Sequence, residues 1–343
     1  MLKIFTITNL RYGVIGFLIA SVIVLISKEV TFLPEIVIAG FLTGFFVREI
    51  ETSLSKTRLR KLSFKSQILL RPVIYIGVTF LIIVMIILLK ILFNNECDIL
   101  TALSENGFWN YLFNTNFYLL FILLVTIGLL VSFIWQVNLL LGPGVLMRFV
   151  AGKYKSPKTE QKIFMFMDLN SSVRMAEKLG TEKYSELLKD FFLELTEPVL
   201  KFKGEVYQYI GDEVVVVWDK ENGIKNDNAI KLVFEVIDKI EKRKEYYFGK
   251  YRLLPVFKVG IHYGETIVRE VGEIKKEIVY HGDVLNTTSR IRSVCNELDK
   301  KILISKDLYE ILEEKLYSVF EPVGEIDLKG KKEKVFLYSV TKK

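Results

Sequence analysis

Four apolar runs crowd the first 141 residues of this 343-residue chain, and no other feature restricts its folding as severely. They are Asn9–Ser27, Val30–Val47, Pro72–Phe93 and Phe117–Leu141. Each approaches the ~20 residues with which a helix crosses a bilayer. The second is short and carries Pro34 and Glu35 near one end. The charge of the connecting segments has a direction. Arg48–Arg71 holds seven Lys or Arg against two Glu, whereas Asn94–Asn116 holds three acidic residues and no Lys or Arg. Basic loops stay on the cytoplasmic side, so both termini are expected in the cytoplasm, with the chain in the cell (inner) membrane. Four core helices of a soluble bundle would not produce this asymmetry.

No small-residue cleavage site follows the first run, so a cleaved signal peptide is not expected. Cys97 and Cys295 fall on opposite sides of the membrane in this topology and cannot pair within one chain. The net charge of +7 includes the basic inner loop, which suits an anionic leaflet better than a nucleic acid. The expected organisation is a four-helix membrane domain over 1–141, a junction over 142–161 that begins with the helix-breaking Gly142-Pro143-Gly144, and a catalytic domain over 162–343. Within the junction, Leu146–Val150 is a short apolar turn suited to coupling.

Beyond Lys162 the apolar pattern switches between period 2 and period 3.6. Strands are expected at Ile163–Met167, Val206–Ile210, Val214–Trp218, Val256–His262, Thr266–Val271 and Ile302–Ser305, with two closing strands at Val319–Leu328 and Lys334–Val340. Helices are expected at Ser171–Leu179, Glu182–Phe202, Asn228–Phe248, Val284–Glu297 and Asp307–Leu312. The order β-α-β-β-α-β with additions is a ferredoxin-like α+β layout on a largely antiparallel sheet.

In that layout the first and third strands are neighbours, so Asp168 lies beside the Gly211-Asp212-Glu213 bend. Paired carboxylates at the ends of apolar strands repel unless a cation bridges them. Mg²⁺ or Mn²⁺, completed by substrate phosphates, is the usual resolution. On its own stretch Asp212 serves equally well as hairpin-turn chemistry. The following "LNSSVRM" opens a helix whose free amides suit a phosphate, although Ser171 is also a plausible cap. Further on, "YHGDVLNTTSRIRSVC" starts a helix with Asp283 as the expected N-cap. It places Asn286 and Arg290 on one face, an arrangement that also occurs on plain solvated surfaces. His262 and His281 lack the partners of metal ligands and read as ordinary strand and turn residues.

Taken together, "FMFMDLNSS", "YQYIGDEVVV", "VGIHYGETIVREVG", "HGDVLNTTSRI" and "LKGKKEKVFLYSV" resemble the class III nucleotidyl cyclases over about 180 residues, Lys155 to Tyr338. The resemblance implies a palm-like cyclase catalytic domain. It makes Asp168 and Asp212, with the backbone carbonyl of Leu169, the holders of two Mg²⁺ or Mn²⁺ ions. Asn286 would orient the ribose and Arg290 would stabilise the transition state. Ser171, Ser172 and either Lys329 or Lys331 would bind phosphate. Gln208 and Val279 would face the base. It also implies a homodimer, formed through the catalytic domains and the membrane helices, whose shared sites take ATP or GTP.

The base-facing positions depart from the family pattern. Adenylyl enzymes carry Lys and guanylyl enzymes Glu where Gln208 stands, and glutamine both donates and accepts. Val279 offers no side-chain hydrogen bond, and Arg269 stands where the family often has Gly. Conversion of ATP to cyclic AMP and pyrophosphate is the expected activity, and cyclic GMP synthesis is the first alternative. A diguanylate cyclase and a membrane receptor that binds nucleotide without turnover are the others. The former is disfavoured because its hairpin has a second Gly and a Phe that are missing here.

Overall fold

The structure is a computed structural model. It describes residues 144–315 and 318–343 continuously, the helix Phe64–Asn95, Gly142, and scattered residues between 13 and 49 and between 129 and 141. It divides into two compact units, Met1–Leu141 and Gly142–Lys343.

In the first unit, helix α1 (Phe64–Asn95) is long and apolar enough over Leu69–Ile86 to cross a membrane. It begins eight residues before the expected span. Proline favours the first turn of a helix, which argues for a start at Pro72, yet Pro72 lies inside the observed helix. The other three expected spans lie largely outside the described residues. Those of their residues that are described are helical. A side chain at Gly16 would collide with the Gly40 carbonyl, a backbone approach that small residues permit between helices.

The second unit opens with the short helix α2 (Val145–Val150), whose Arg148 pairs with Glu205. Strand β1 (Lys158–Leu169) follows, then α3 (Ser172–Leu179) and α4 (Thr181–Lys201). The hairpin of β2 (Glu205–Ile210) and β3 (Glu213–Asp219) leads into α5 (Lys220–Ile224), α6 (Asn228–Lys242) and α7 (Lys244–Tyr251). Next come β4 (Phe257–Val271), β5 (Glu277–His281) and α8 (Asp283–Val294). The unit closes with β6 (Ile302–Ser305), α9 (Lys306–Ile311), β7 (Ser318–Ile326) and β8 (Val335–Lys342).

The eight strands form one sheet in the order β2-β3-β1-β4-β6-β8-β7, with β5 paired to β4. All pairings are antiparallel except β4 with β6. The expected neighbours, first and third strand, do pair, and Asp168 stands opposite Glu213. Ile163, Met165, Met167 and Leu169 of β1 enter a large core with Leu187, Phe191 and Leu195 of α4 and Leu232, Val233 and Val236 of α6. Phe164 and Phe166 face the other way, into a second core with Val215, Val217, Tyr280 and Val284. Burial on both faces explains why these strands read as unbroken apolar runs.

Three expectations are corrected. β4 is one strand of 15 residues rather than two. Gly264 does not break it, and a side chain there would press on Val284 at 3.1 Å. The expected helix Asn228–Phe248 is two helices that meet at Arg243. Arg243 pairs with the buried Glu194, and the second helix then buries Tyr247 and Tyr251. Strand β5, which no alternation announced, pairs with the far end of β4 and turns the chain into α8.

Candidate active site

Asp168 closes β1 and Asp212 occupies the bend between β2 and β3, where Gly211 takes a φ of 62° that a turn this tight requires. Burial pushes the Asp168 carboxyl up to about 6; the Arg292 guanidinium opposes the rise, while Asp212 and Glu213 add to it. Glu213 is itself buried, and desolvation raises its carboxyl against the pull of Arg292. Arg292 Nη1 lies 3.1 Å from Asp168 Oδ2, and Arg292 Nη2 lies 2.6 Å from Glu213 Oε2.

Neither Glu213 nor Arg292 was expected at the site. In the sequence Glu213 figures only as part of the Gly211-Asp212-Glu213 bend. Arg292 carried no signal in the sequence beyond its position on the Asn-Arg helix. Tyr184 of α4 is a third addition: burial and then the Asp212 charge raise its hydroxyl.

Ser171 precedes α3 with φ 58°, in the left-handed region, and its side chain makes no capping bond. The capping alternative is therefore not what the structure contains. Ser172 begins the helix. Leu169 directly follows Asp168, with its side chain in the large core and its backbone at the strand end.

A second group gathers on one face of α8. Asn286 is exposed and Arg290 half-buried on the same helix face. Lys331 Nζ lies 2.7 Å from Asp283 Oδ2 and 2.9 Å from Thr287 Oγ1, so this lysine is held against the helix. Lys329 is exposed. The Lys329–Lys331 loop passes over Arg290, since a Cβ at Gly330 would sit 3.4 Å from Arg290 Nη2. Asp283 is not the N-cap. Gly282 holds that position, and the Asp283 carboxylate accepts from Thr287 and Lys331 instead, which keeps its carboxyl low.

Among the described residues, no hydrogen bond or ion pair joins Asn286, Arg290 or Lys331 to Asp168 or Asp212. Gln208 is exposed on β2, next to a register shift after Val206. Val279 lies on β5 directly opposite Arg269 of β4, so their side chains share one face. His262 is buried and bonded at 2.7 Å to Ser305 Oγ, and desolvation lowers it to about 4, as befits a core residue.

No group of three or more His, Cys, Asp or Glu suited to a metal occurs among the described residues. The pair Asp168 and Asp212, with a carbonyl at the strand end, nonetheless fits a hard cation that keeps water or phosphate in the rest of its shell. The supporting observation is the crowding of Asp168 with its buried cross-strand partner Glu213 and the adjacent Asp212, because carboxylates packed at a strand end invite a cation.

Comparison with known proteins identifies the family. Residues 154–342 match the family described as Adenylate and Guanylate cyclase catalytic domain. The chain is similar to Adenylate cyclase 2 of Rhizobium meliloti (strain 1021), 31% identical over 211 residues that cover 62% of this chain and 58% of that protein. It is also similar to the Receptor-type guanylate cyclase gcy-28 of Caenorhabditis elegans, 26% identical over 198 residues, which cover 56% of this chain and 15% of that protein. Among solved structures, the adenylyl cyclase CyaB from P. aeruginosa aligns with a TM-score of 0.49 at 19% identity, covering 55% of this chain and 97% of that one. The chain thus spans less than two thirds of the curated relatives it matches. By the family match over residues 154–342, this chain belongs to the adenylate and guanylate cyclase catalytic-domain family.

Proposed function

We propose that the chain is a membrane-anchored cyclase that converts ATP to 3′,5′-cyclic AMP and pyrophosphate at sites shared by a homodimer. The observation that carries this reading is that, among the described residues of one chain, no hydrogen bond or ion pair brings Asn286, Arg290 or Lys331 onto Asp168 or Asp212. Asp168 and Asp212 meet at the end of β1, while Asn286, Arg290 and Lys331 gather on α8. A second copy would complete both sites.

Asp168, Asp212 and the Leu169 carbonyl would hold two Mg²⁺ or Mn²⁺ ions, which when bound acidify the ribose 3′-hydroxyl and neutralise charge at the α-phosphate. Asn286 orients the ribose through its amide. Arg290 donates to phosphate oxygens as charge builds on them. Lys331, tied to the same helix, is the better placed of the two lysines to meet the leaving pyrophosphate. The amides at Ser171 and Ser172 open α3 towards the triphosphate. Catalysis of this kind depends on positioning and charge rather than on a side-chain base.

Adenine is the proposed base. Gln208 can present its amide N–H to the adenine N1 acceptor, and no guanine-type glutamate stands at that position. The four apolar runs form the membrane domain, with both termini cytoplasmic. The exposed Met147 and Val150 of α2, and its Arg148–Glu205 pair, suit segment 142–161 to pass a signal onto β2.

The test is product identification. Purified full-length protein is incubated separately with ATP and GTP in the presence of Mn²⁺, and the products are resolved by mass spectrometry. Cyclic AMP from ATP is expected. Cyclic GMP alone would overturn the choice of base. Nucleotide binding without any product would favour a receptor.

A further inference from the structure

Arg292 lies two residues beyond Arg290, so it leaves α8 from a different face. That face rests on the sheet, and the cause is Gly260 of β4. A Cβ there would lie 2.8 Å from both Arg292 Cα and the Thr288 carbonyl, and closer still to Arg292 N. The helix backbone therefore sits directly on the strand. Gly260 pairs with Phe166, two residues before Asp168 in the register. From that seat the Arg292 side chain spans Asp168 and its cross-strand partner Glu213.

The charge balance at this point is uneven. Asp168, Asp212 and Glu213 are three carboxylates, and Arg292 is the guanidinium that opposes them. Its Nε is buried without a hydrogen-bond acceptor, so the clasp leaves part of the guanidinium unsatisfied. A partly satisfied buried charge pair is held less firmly than a fully bonded one.

We propose that Arg292 is a positioning residue that serves as a resident counter-cation: it holds Asp168 and Glu213 together before metal arrives, and it competes with the divalent ion for Asp168. The proposal rests on the reading of Asp168 and Asp212 as metal holders. It gives Glu213 a role as partner to Arg292 rather than as a third metal ligand. The clasp also ties the metal carboxylates to the helix that bears Asn286 and Arg290.

The experiment measures Mn²⁺ binding to purified full-length protein without nucleotide, by electron paramagnetic resonance of free Mn²⁺, beside thermal unfolding with and without Mn²⁺. Arg292→Met removes the charge. It should lower the melting temperature of the metal-free protein, tighten Mn²⁺ binding by about fivefold or more, and enlarge the stabilisation that Mn²⁺ confers. Arg292→Lys keeps the charge and should bind Mn²⁺ within about twofold of the parent. A purely structural arginine would instead lose stability and metal affinity together. Unchanged or weaker Mn²⁺ binding by folded Arg292→Met overturns the proposal. Should that variant not fold, Arg292→Gln, which is neutral but still donates to carboxylates, decides by the same criterion. Asp168→Asn is the reference. Undiminished Mn²⁺ binding in it overturns the metal reading itself, whereas loss there with no tightening in the Arg292 variants overturns only the role of Arg292.

Discussion

Asp168 carries a carboxyl that burial and two neighbouring carboxylates push up to about 6 from an ordinary 3.8. A folded-state value raised above the unfolded one stabilises the fold fully below the unfolded value. That stabilisation is lost as pH rises through the folded one. The metal-free protein should therefore lose melting temperature between pH 3.8 and about 6 relative to Asp168→Asn, whose profile lacks this slope. Buried His262, lowered to about 4, acts in the opposite sense, and comparison with the Asp168 variant removes its contribution. Mn²⁺ binding should strengthen through the same window as the proton leaves, which titration at fixed ionic strength would measure. Much of this site is legible residue by residue. Two aspartates at the ends of apolar strands announce each other through strand order alone. Arg292 does not, because its partner Asp168 is 124 positions away and no local pattern relates them.

The helix α8 is the element on which both half-sites depend. One face of it offers Asn286 and Arg290, with Lys331 bound at its first turns, and another face, at Thr288 and Arg292, lies on β4 at Gly260. Gly260→Ala would drive a methyl group into the Arg292 and Thr288 backbone, and the helix would have to lift. A cost of about 1–3 kcal/mol, typical of overpacking, should appear in denaturant unfolding, with weakened activity beyond what stability explains. Strands buried on both faces, such as β1 and β3, are readable from their apolar runs. Strand β5 is not, since Glu277–His281 is short, buries only Tyr280, and takes its pairing from the distant end of β4. The break between α6 and α7 is hidden for a similar reason. A helical period continues across Arg243, while the turn there depends on Glu194 of another helix.

At the scale of the whole molecule, the proposed shared site predicts complementation in trans. Asp168→Ala and Arg290→Ala are each expected to lose nearly all activity. Mixed together as folded dimers, they should regain up to about a quarter of it, since a random mixture leaves one intact composite site in half of the dimers. Absence of any recovery, with heterodimers demonstrated, would count against a shared site. The sequence by itself determined the apolar load of the first 141 residues, the α+β class of the rest and the carboxylate and Asn-Arg motifs. Those properties are local: hydrophobic period, turn chemistry and side-chain type act within a few residues. Only the tertiary structure decided that Lys331 lies against α8, that the Ser171 side chain does not cap α3, and that Arg292 reaches Asp168 and Glu213. Each is a contact or a backbone conformation set by packing between elements remote in sequence, and a helix seated on Gly260 has no signature in its own residues.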